Sequence, residues 1–255
     1  MNRDNVELVQ TVERAIRIMN CFTKENPEWG VRELEKELEI GKSTVHRILQ
    51  TLQICGFLTR SSHTGKYKLS LRIYELGRVA FESFDFLTES TENMKRLVKR
   101  FNETVYLSVR NGTEITYLGR EDCEHPLRYI LEIGSNSVMH VSAAGQAIMA
   151  FLKINEIEEV IKKHGLPRFS NGQTLTRTEL DEKLLRIREE GYALSYGGKI
   201  EGIYGIAVPI FSSDYIIGSL AFSIPEQRFD KENLHTLVNV LKEEASNISN
   251  LLGYR

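Results

Sequence analysis

Apolar residues return every three or four positions at Val12, Ala15, Ile16, Met19 and Phe22, which predicts a helix with one buried face. A loop with Pro27 and Gly30 separates it from a short second helix marked by Val31, Leu34 and Leu38, whose acids Glu33, Glu35, Glu37 and Glu39 turn mostly to solvent. Ile40 and Gly41 make a tight turn. From Ser43 to Cys55 the apolar set is Val45, Ile48, Leu49, Leu52 and Cys55, one face of a third helix, and Gly56 stands where a left-handed residue closes it. Phe57 to Arg60 and Lys66 to Leu69 then read as two short strands around the Ser61 to Gly65 turn. A short helix, a tight turn and a longer helix form the helix-turn-helix pattern, which many plain three-helix bundles share. The hairpin after it, placed as a wing, favours a winged helix-turn-helix.

Beyond Ser70 the apolar positions Leu71, Tyr74, Leu76, Val79, Ala80, Phe81 and Phe84 continue a helical pattern over 71–86. It is too apolar for an isolated connector and is expected to pack on a partner. From Leu87 helices alternate with strands. Leu87, Met94, Leu97, Val98 and Phe101 mark a helix, and Val105 to Arg110 is expected to pair with Thr113 to Arg120 across Asn111-Gly112 in a type I′ turn. Leu127 to Ile133 reads as a strand. Helices follow at Ala143 to Leu152, at Glu156 to Lys163 with Asn155 as cap and Gly165 as terminator, and at Arg177 to Glu190 between Thr176 and Gly191. Ile203 to Phe211 and Tyr215 to Ile224 form a second hairpin. A closing helix carries Leu234, Leu237, Val238, Leu241, Ala245, Ile248 and Leu252. The fold class is α+β around a mixed or antiparallel sheet. The expected division is 8–70 for the winged helix-turn-helix, 71–86 for a linker helix and 87–255 for a second domain.

Charge sharpens the reading of the first domain. The 255 residues carry 33 Lys and Arg against 35 Asp and Glu, yet between Ile40 and Tyr74 there is no acid, while Lys42, Arg47, Arg60, Lys66, Lys68 and Arg72 are present with His46 and His63. A cation-only stretch on the third helix and wing is a phosphate-binding footprint. On that helix the side opposite the buried stripe carries Ser43, Arg47 and Gln50, flanked by Thr44, His46 and Thr51. Arg and Gln suit bidentate contacts to guanine and adenine in a major groove. Lys42 and the free N–H groups of the helix start are expected on phosphate, and Arg60 and Lys66 of the wing on phosphate or the minor groove. His63 is on the wing with no assigned role.

Other function classes find little support. Cys21, Cys55 and Cys123 are scattered without metal or disulfide spacing, which suits a reducing cytoplasm. The polar start and the lack of a long apolar run argue against secretion and membrane insertion. His140 and Ser142 lie two residues apart without a G-x-S-x-G elbow, no histidine has metal-ligand spacing, and the glycines from Gly197 to Gly205 lack the phosphate-loop pattern. No catalysis, cofactor or metal is expected.

The segment from His140 to Gln146 places small residues at a helix start capped by Ser142, where an anion could dock on backbone N–H groups. The glycine-rich run from Gly197 to Gly205 allows close backbone approach. Close packing around a capped helix explains both equally well.

The runs Thr11-Val-Glu-Arg-Ala-Ile-Arg-Ile, Lys42-Ser-Thr-Val-His-Arg-Ile-Leu and Thr64-Gly-Lys-Tyr-Lys-Leu resemble the DNA-binding domain of the isocitrate lyase regulator (IclR) family. Gly41 stands where that family often has proline. The segments His140 to Leu152, Gly191-Tyr-Ala-Leu, Gly202-Ile-Tyr-Gly-Ile-Ala-Val-Pro-Ile and Gly218-Ser-Leu-Ala-Phe-Ser resemble its effector domain. The resemblance implies a GAF-like mixed α/β domain binding a small carboxylate or aromatic acid. It places Tyr129, Ser137, Ala143, Ala144, Ser195, Ile203, Gly205, Ala221 and Ser223 around the ligand. Ser195 replaces a frequent Asp, and Ala221 stands where a second serine can help hold a carboxylate, so the expected ligand differs from glyoxylate or pyruvate. The implied protein is a regulator of double-stranded palindromic DNA, a homodimer or dimer of dimers with a small organic acid as effector and no membrane partner. A constitutive DNA-binding protein whose second domain only oligomerises is the alternative.

Overall fold

The computed structural model describes residues 8–23, 25–82, 85–170, 172–212 and 215–252. Phe84 of the expected linker helix and the chain before Leu8 lie outside the described residues, as do the side chains of Ala80 and Phe81. The chain divides into two units, Met1–Phe84 and Asp85–Arg255.

The first unit runs α1 (Gln10–Asn20), β1 (Glu28–Trp29), α2 (Val31–Leu38), α3 (Lys42–Ile54), β2 (Leu58–Arg60), β3 (Tyr67–Leu69) and α4 (Leu71–Glu82). Ile18, Leu34, Ile40, Val45, Ile48, Leu49, Leu58 and Tyr67 form its core. The wing has three strands in the order β1-β3-β2; a two-residue β1 is too short for alternation to announce it. Gly56 follows α3 with φ of 80°, a left-handed backbone that favours glycine.

The expected face of α1 is corrected. Ile18 is fully buried, whereas Val12 and Ile16 are 55% and 54% exposed. The helix carries two apolar stripes. Ala15, Ile18 and Phe22 face the core, and Val12 and Ile16 form a second stripe turned to solvent. Taking every apolar position as one face merges the two.

The second unit contains α5 (Asp85–Phe101), β4 (Thr104–Asn111), β5 (Glu114–Glu121), β6 (Asn136–Val138), α6 (Ala143–Met149), α7 (Ile154–His164), α8 (Arg177–Glu190), β7 (Ala193–Tyr196), β8 (Ile203–Ser212), β9 (Tyr215–Pro225) and α9 (Leu234–Leu251). Its six-stranded sheet has the order β6-β5-β4-β9-β8-β7 and every pairing is antiparallel. Alternation sends Val105, Leu107, Ile206, Val208, Leu220 and Phe222 into a core with α5 and α9. Tyr106, Ala207 and Ala221 face the opposite way, into a core with α6, α7 and α8.

The α6 side of the sheet is built for close approach. A Cβ on Gly145 would lie 2.2 Å from the Met139 carbonyl oxygen. Ser219 Oγ donates to the Ala144 carbonyl at 3.0 Å. The missing side chain at Gly145 lets helix backbone settle onto the turn after β6, and the small Ser219 side chain ties α6 to β9.

Three further expectations change. Asn111 pairs with Glu114, so the β4–β5 turn is Gly112-Thr113, and Gly112 has φ of 62° while Asn111 does not enter the left-handed region. Glycine first is the type II′ arrangement, and it moves the register one residue from that implied by Asn-Gly. Helix α7 begins two residues earlier than expected, at Ile154, with Glu156 accepting the Lys153 N–H at 2.9 Å, so Asn155 is not the cap. Leu127 to Ile133 is not a strand. The free side of β5 is already occupied by β6 and by Gly134 and Ser135. The segment from Leu127 to Ile133 runs instead as a strap. Arg228 Nη1 donates to Leu127 O at 2.7 Å, and the Tyr106 hydroxyl donates to Tyr129 O at 2.9 Å while accepting the Leu131 N–H at 2.8 Å.

Candidate nucleic-acid interface and ligand pocket

On α3 the buried stripe of Val45, Ile48 and Leu49 turns Lys42, Ser43, His46, Arg47, Gln50 and Thr51 to solvent, with Thr44 half-buried. Thr51 Oγ1 donates to the Arg47 carbonyl at 2.9 Å. Among the described residues, no ion pair or side-chain hydrogen bond engages the His46, Arg47 or Gln50 side chains. They form a row of unspent donors on one helix face.

The fold modifies the acid-free stretch. Glu35 on α2 accepts the Lys42 backbone N–H at 3.2 Å, so one of the helix-start donors expected on phosphate is already occupied. Lys66 Nζ lies 2.5 Å from Glu33 Oε1, and Glu33 also accepts the Gly30 N–H at 2.7 Å. The bond to Lys66 and then that to Gly30 hold the Glu33 carboxyl below the usual range. Lys66 is thus a strut between wing and α2. Arg60 donates to the Gly65 carbonyl at 2.9 Å and lies 5.5 Å from the Tyr67 ring centroid, bracing the wing turn while remaining exposed. A run of sequence without acids has folded against acids from elsewhere.

In the second unit a pocket of about 510 Å³, counted to its open mouth, lies between the α6 side of the sheet and the strap. Eight of the residues expected around a ligand line it: Tyr129, Ala143, Ala144, Ser195, Ile203, Gly205, Ala221 and Ser223. Ser137 does not line it but lies, buried, near the Tyr117 phenol. The expected Ser142 cap of α6 is present, and one further helix-start donor has a partner. Ser195 Oγ accepts the Ala143 N–H at 3.1 Å and Ser142 Oγ accepts that of Gly145 at 3.2 Å.

The pocket also holds residues not anticipated, including Tyr106, Tyr117, Leu131 and Lys199. Tyr106 and Tyr117 meet edge to face with centroids 5.7 Å apart. Burial pushes the Tyr106 phenol up to about 12 and also raises Tyr117 and Tyr129. The available signal was a pair of tyrosines on inward strand positions, where each buried hydroxyl needs a partner. Gly205 is required by close approach, since a Cβ there would lie 3.0 Å from both Ala143 Cβ and Ser195 Oγ.

Residues 11–62 match the IclR helix-turn-helix domain, and residues 79–250 match the family described as bacterial transcriptional regulator IclR C-terminal. The chain belongs to the IclR family. Among IclR relatives, the HTH-type transcriptional regulator KdgR of Escherichia coli (strain K12) is 31% identical over 248 residues, spanning 96% of this chain and 94% of that one. The HTH-type transcriptional regulator XynR of the same organism is 27% identical over 248 residues, spanning 97% and 98%. A crystal structure of an IclR homolog complexed with 4-hydroxybenzoate, from Microbacterium hydrocarbonoxydans, superposes with a TM-score of 0.81 at 25% identity, covering 95% of this chain and 99% of that one. Its relatives in this family are transcriptional regulators, and the winged helix-turn-helix followed by an α+β domain is the IclR arrangement. Among the described residues no helix is long and apolar enough to cross a membrane, and no group of three or more His, Cys, Asp and Glu could hold a metal ion.

Proposed function

We propose that this IclR-family chain binds a palindromic operator in double-stranded DNA as a homodimer, or as a dimer of dimers, in the cytoplasm. A small organic acid in the pocket of the second unit sets its operator affinity. The observation that carries this reading is the outward face of α3, where His46, Arg47 and Gln50 stand unengaged beside Ser43. Arg47 and Gln50 read base edges, with Ser43, Thr44, His46 and Thr51 around them. Lys42 and Arg60 face phosphate. The pocket offers hydroxyls, rings and one lysine rather than a paired nucleophile and base, so the role is sensing, not catalysis.

Coupling is linkage: a ligand that prefers one arrangement of the dimer shifts operator affinity by the difference in its affinity for the two arrangements. The 4-hydroxybenzoate bound by the Microbacterium relative motivates an acid panel. The test is fluorescence anisotropy with DNA upstream of the gene, alongside thermal melts with the same acids. An acid near a hundredfold above its Kd adds about 2.7 kcal/mol to stability and moves the anisotropy midpoint. Gly205→Ala, which intrudes on Ala143 and Ser195, should abolish both shifts while preserving operator binding. Operator binding that no ligand moves would instead indicate a constitutive DNA-binding protein.

A further inference from the structure

Lys199 is the single charged side chain among the described residues that line the pocket. It is exposed to solvent. Its ammonium donates one long hydrogen bond, 3.4 Å to the Asn136 carbonyl, and lies 5.5 Å from the Tyr117 ring centroid. No carboxylate among the described residues pairs with it. By contrast Arg96, Arg110, Arg177 and Arg228 of the same unit each have an acid within 2.7 Å. The nearby pocket walls desolvate the ammonium enough to lower its pKa.

The loop geometry fixes where this cation stands. A Cβ on Gly198 would lie 2.1 Å from the Val141 carbonyl oxygen, so backbone presses directly on the entry to α6 at the residue before Lys199. At the start of α6 the Ala143 and Gly145 N–H groups are taken by Ser195 and Ser142, so Lys199 is the one full positive charge at the pocket.

We infer that Lys199 holds the anionic group of the effector, and that its lone charge selects an effector with one negative charge over one with two. This rests on the pocket's being an effector site. A single cation compensates a single negative charge. A second carboxylate would find hydroxyls but no second positive charge among rings and the side chains of Leu131 and Ile203, at a desolvation cost. Those same walls suit a carbon skeleton.

The test is isothermal calorimetry on the full chain with benzoate, its neutral amide benzamide, and the dianion phthalate, comparing the native protein with Lys199→Met and Lys199→Arg. Benzoate should bind the native chain about tenfold or more tightly than either of the others. Lys199→Met should erase that preference while leaving benzamide unchanged, and Lys199→Arg should recover part of it. Benzamide or phthalate binding as tightly as benzoate, an unchanged benzoate affinity in Lys199→Met, or no benzoate binding by the native chain would each overturn the assignment. The two readings fail separately. Benzoate held through Lys199 without effect on operator affinity sinks regulation and leaves this assignment standing, whereas a neutral ligand that shifts operator affinity does the reverse.

Discussion

Arg47 and Lys66 are both basic residues of the first unit, yet their surroundings give them different expected effects on DNA. Arg47 stands in solvent on α3, whereas Lys66 is engaged by Glu33. Arg47→Ala should cost about 1 to 3 kcal/mol of operator binding and relax selectivity at one base position, read by anisotropy on operator and scrambled duplexes. Unchanged operator affinity would remove Arg47 from the interface. For Lys66 the informative change is in its partner. Glu33→Gln keeps an oxygen for the Gly30 N–H but frees the ammonium. Affinity for any duplex should rise, and the salt dependence should steepen by about one counterion. No change in the salt slope would mean that Lys66 does not reach phosphate even when released. The strut itself is a largely exposed pair and contributes little to folding.

Among the elements, those with strong periodicity and a clear terminator were legible in the sequence. Helix α3 with Gly56, helix α8 between Thr176 and Gly191, and the β8–β9 hairpin lie where the pattern places them. Errors arose where local chemistry admitted two geometries, as at Gly112, or where burial decided between two apolar stripes, as on α1. Alternation cannot reveal the strap, because its hydrogen bonds go to side chains. The pocket was half legible. Period-two alternation places Tyr106 and Tyr117 on the inner face but cannot say that the face encloses a hole, and Lys199 lay inside a segment noticed for its glycines. The strap makes its own prediction. Tyr106→Phe removes the hydroxyl that holds Tyr129 O and Leu131 N, so the Leu131 amide should lose protection in hydrogen exchange while the β9 amides keep theirs. Because the folded phenol titrates near 12 rather than 10, its contribution to stability is fully present below pH 10 and is lost as pH rises through 12. The Phe variant should lack that loss. Equal protection of Leu131 in both proteins would show that the strap is held elsewhere.

For the molecule as a whole, the exposed apolar residues of the first unit bear on assembly. Leu8, Val9, Val12 and Ile16 lie open at the start of the chain and along α1, and Leu71, Tyr74 and Val79 lie open on α4, each more than half exposed. Such surfaces suit the homodimer proposed above. Val12→Glu with Ile16→Glu should shift sedimentation toward monomer and weaken operator binding while leaving the core around Ile18 folded; an unchanged dimer would place the interface elsewhere. The pocket has a comparable asymmetry. Behind Ala143 and Ala144, which line it, backbone is set on backbone at Gly145 and Met139, with Ser219 bonded to Ala144, and material packed that closely does not yield. The opposite wall is the strap, anchored at a few points and carrying Leu127, Ile130 and Ile133 on its outer surface. A bulkier guest therefore has one direction in which to make room, and the chain's exterior changes shape where the interior is filled.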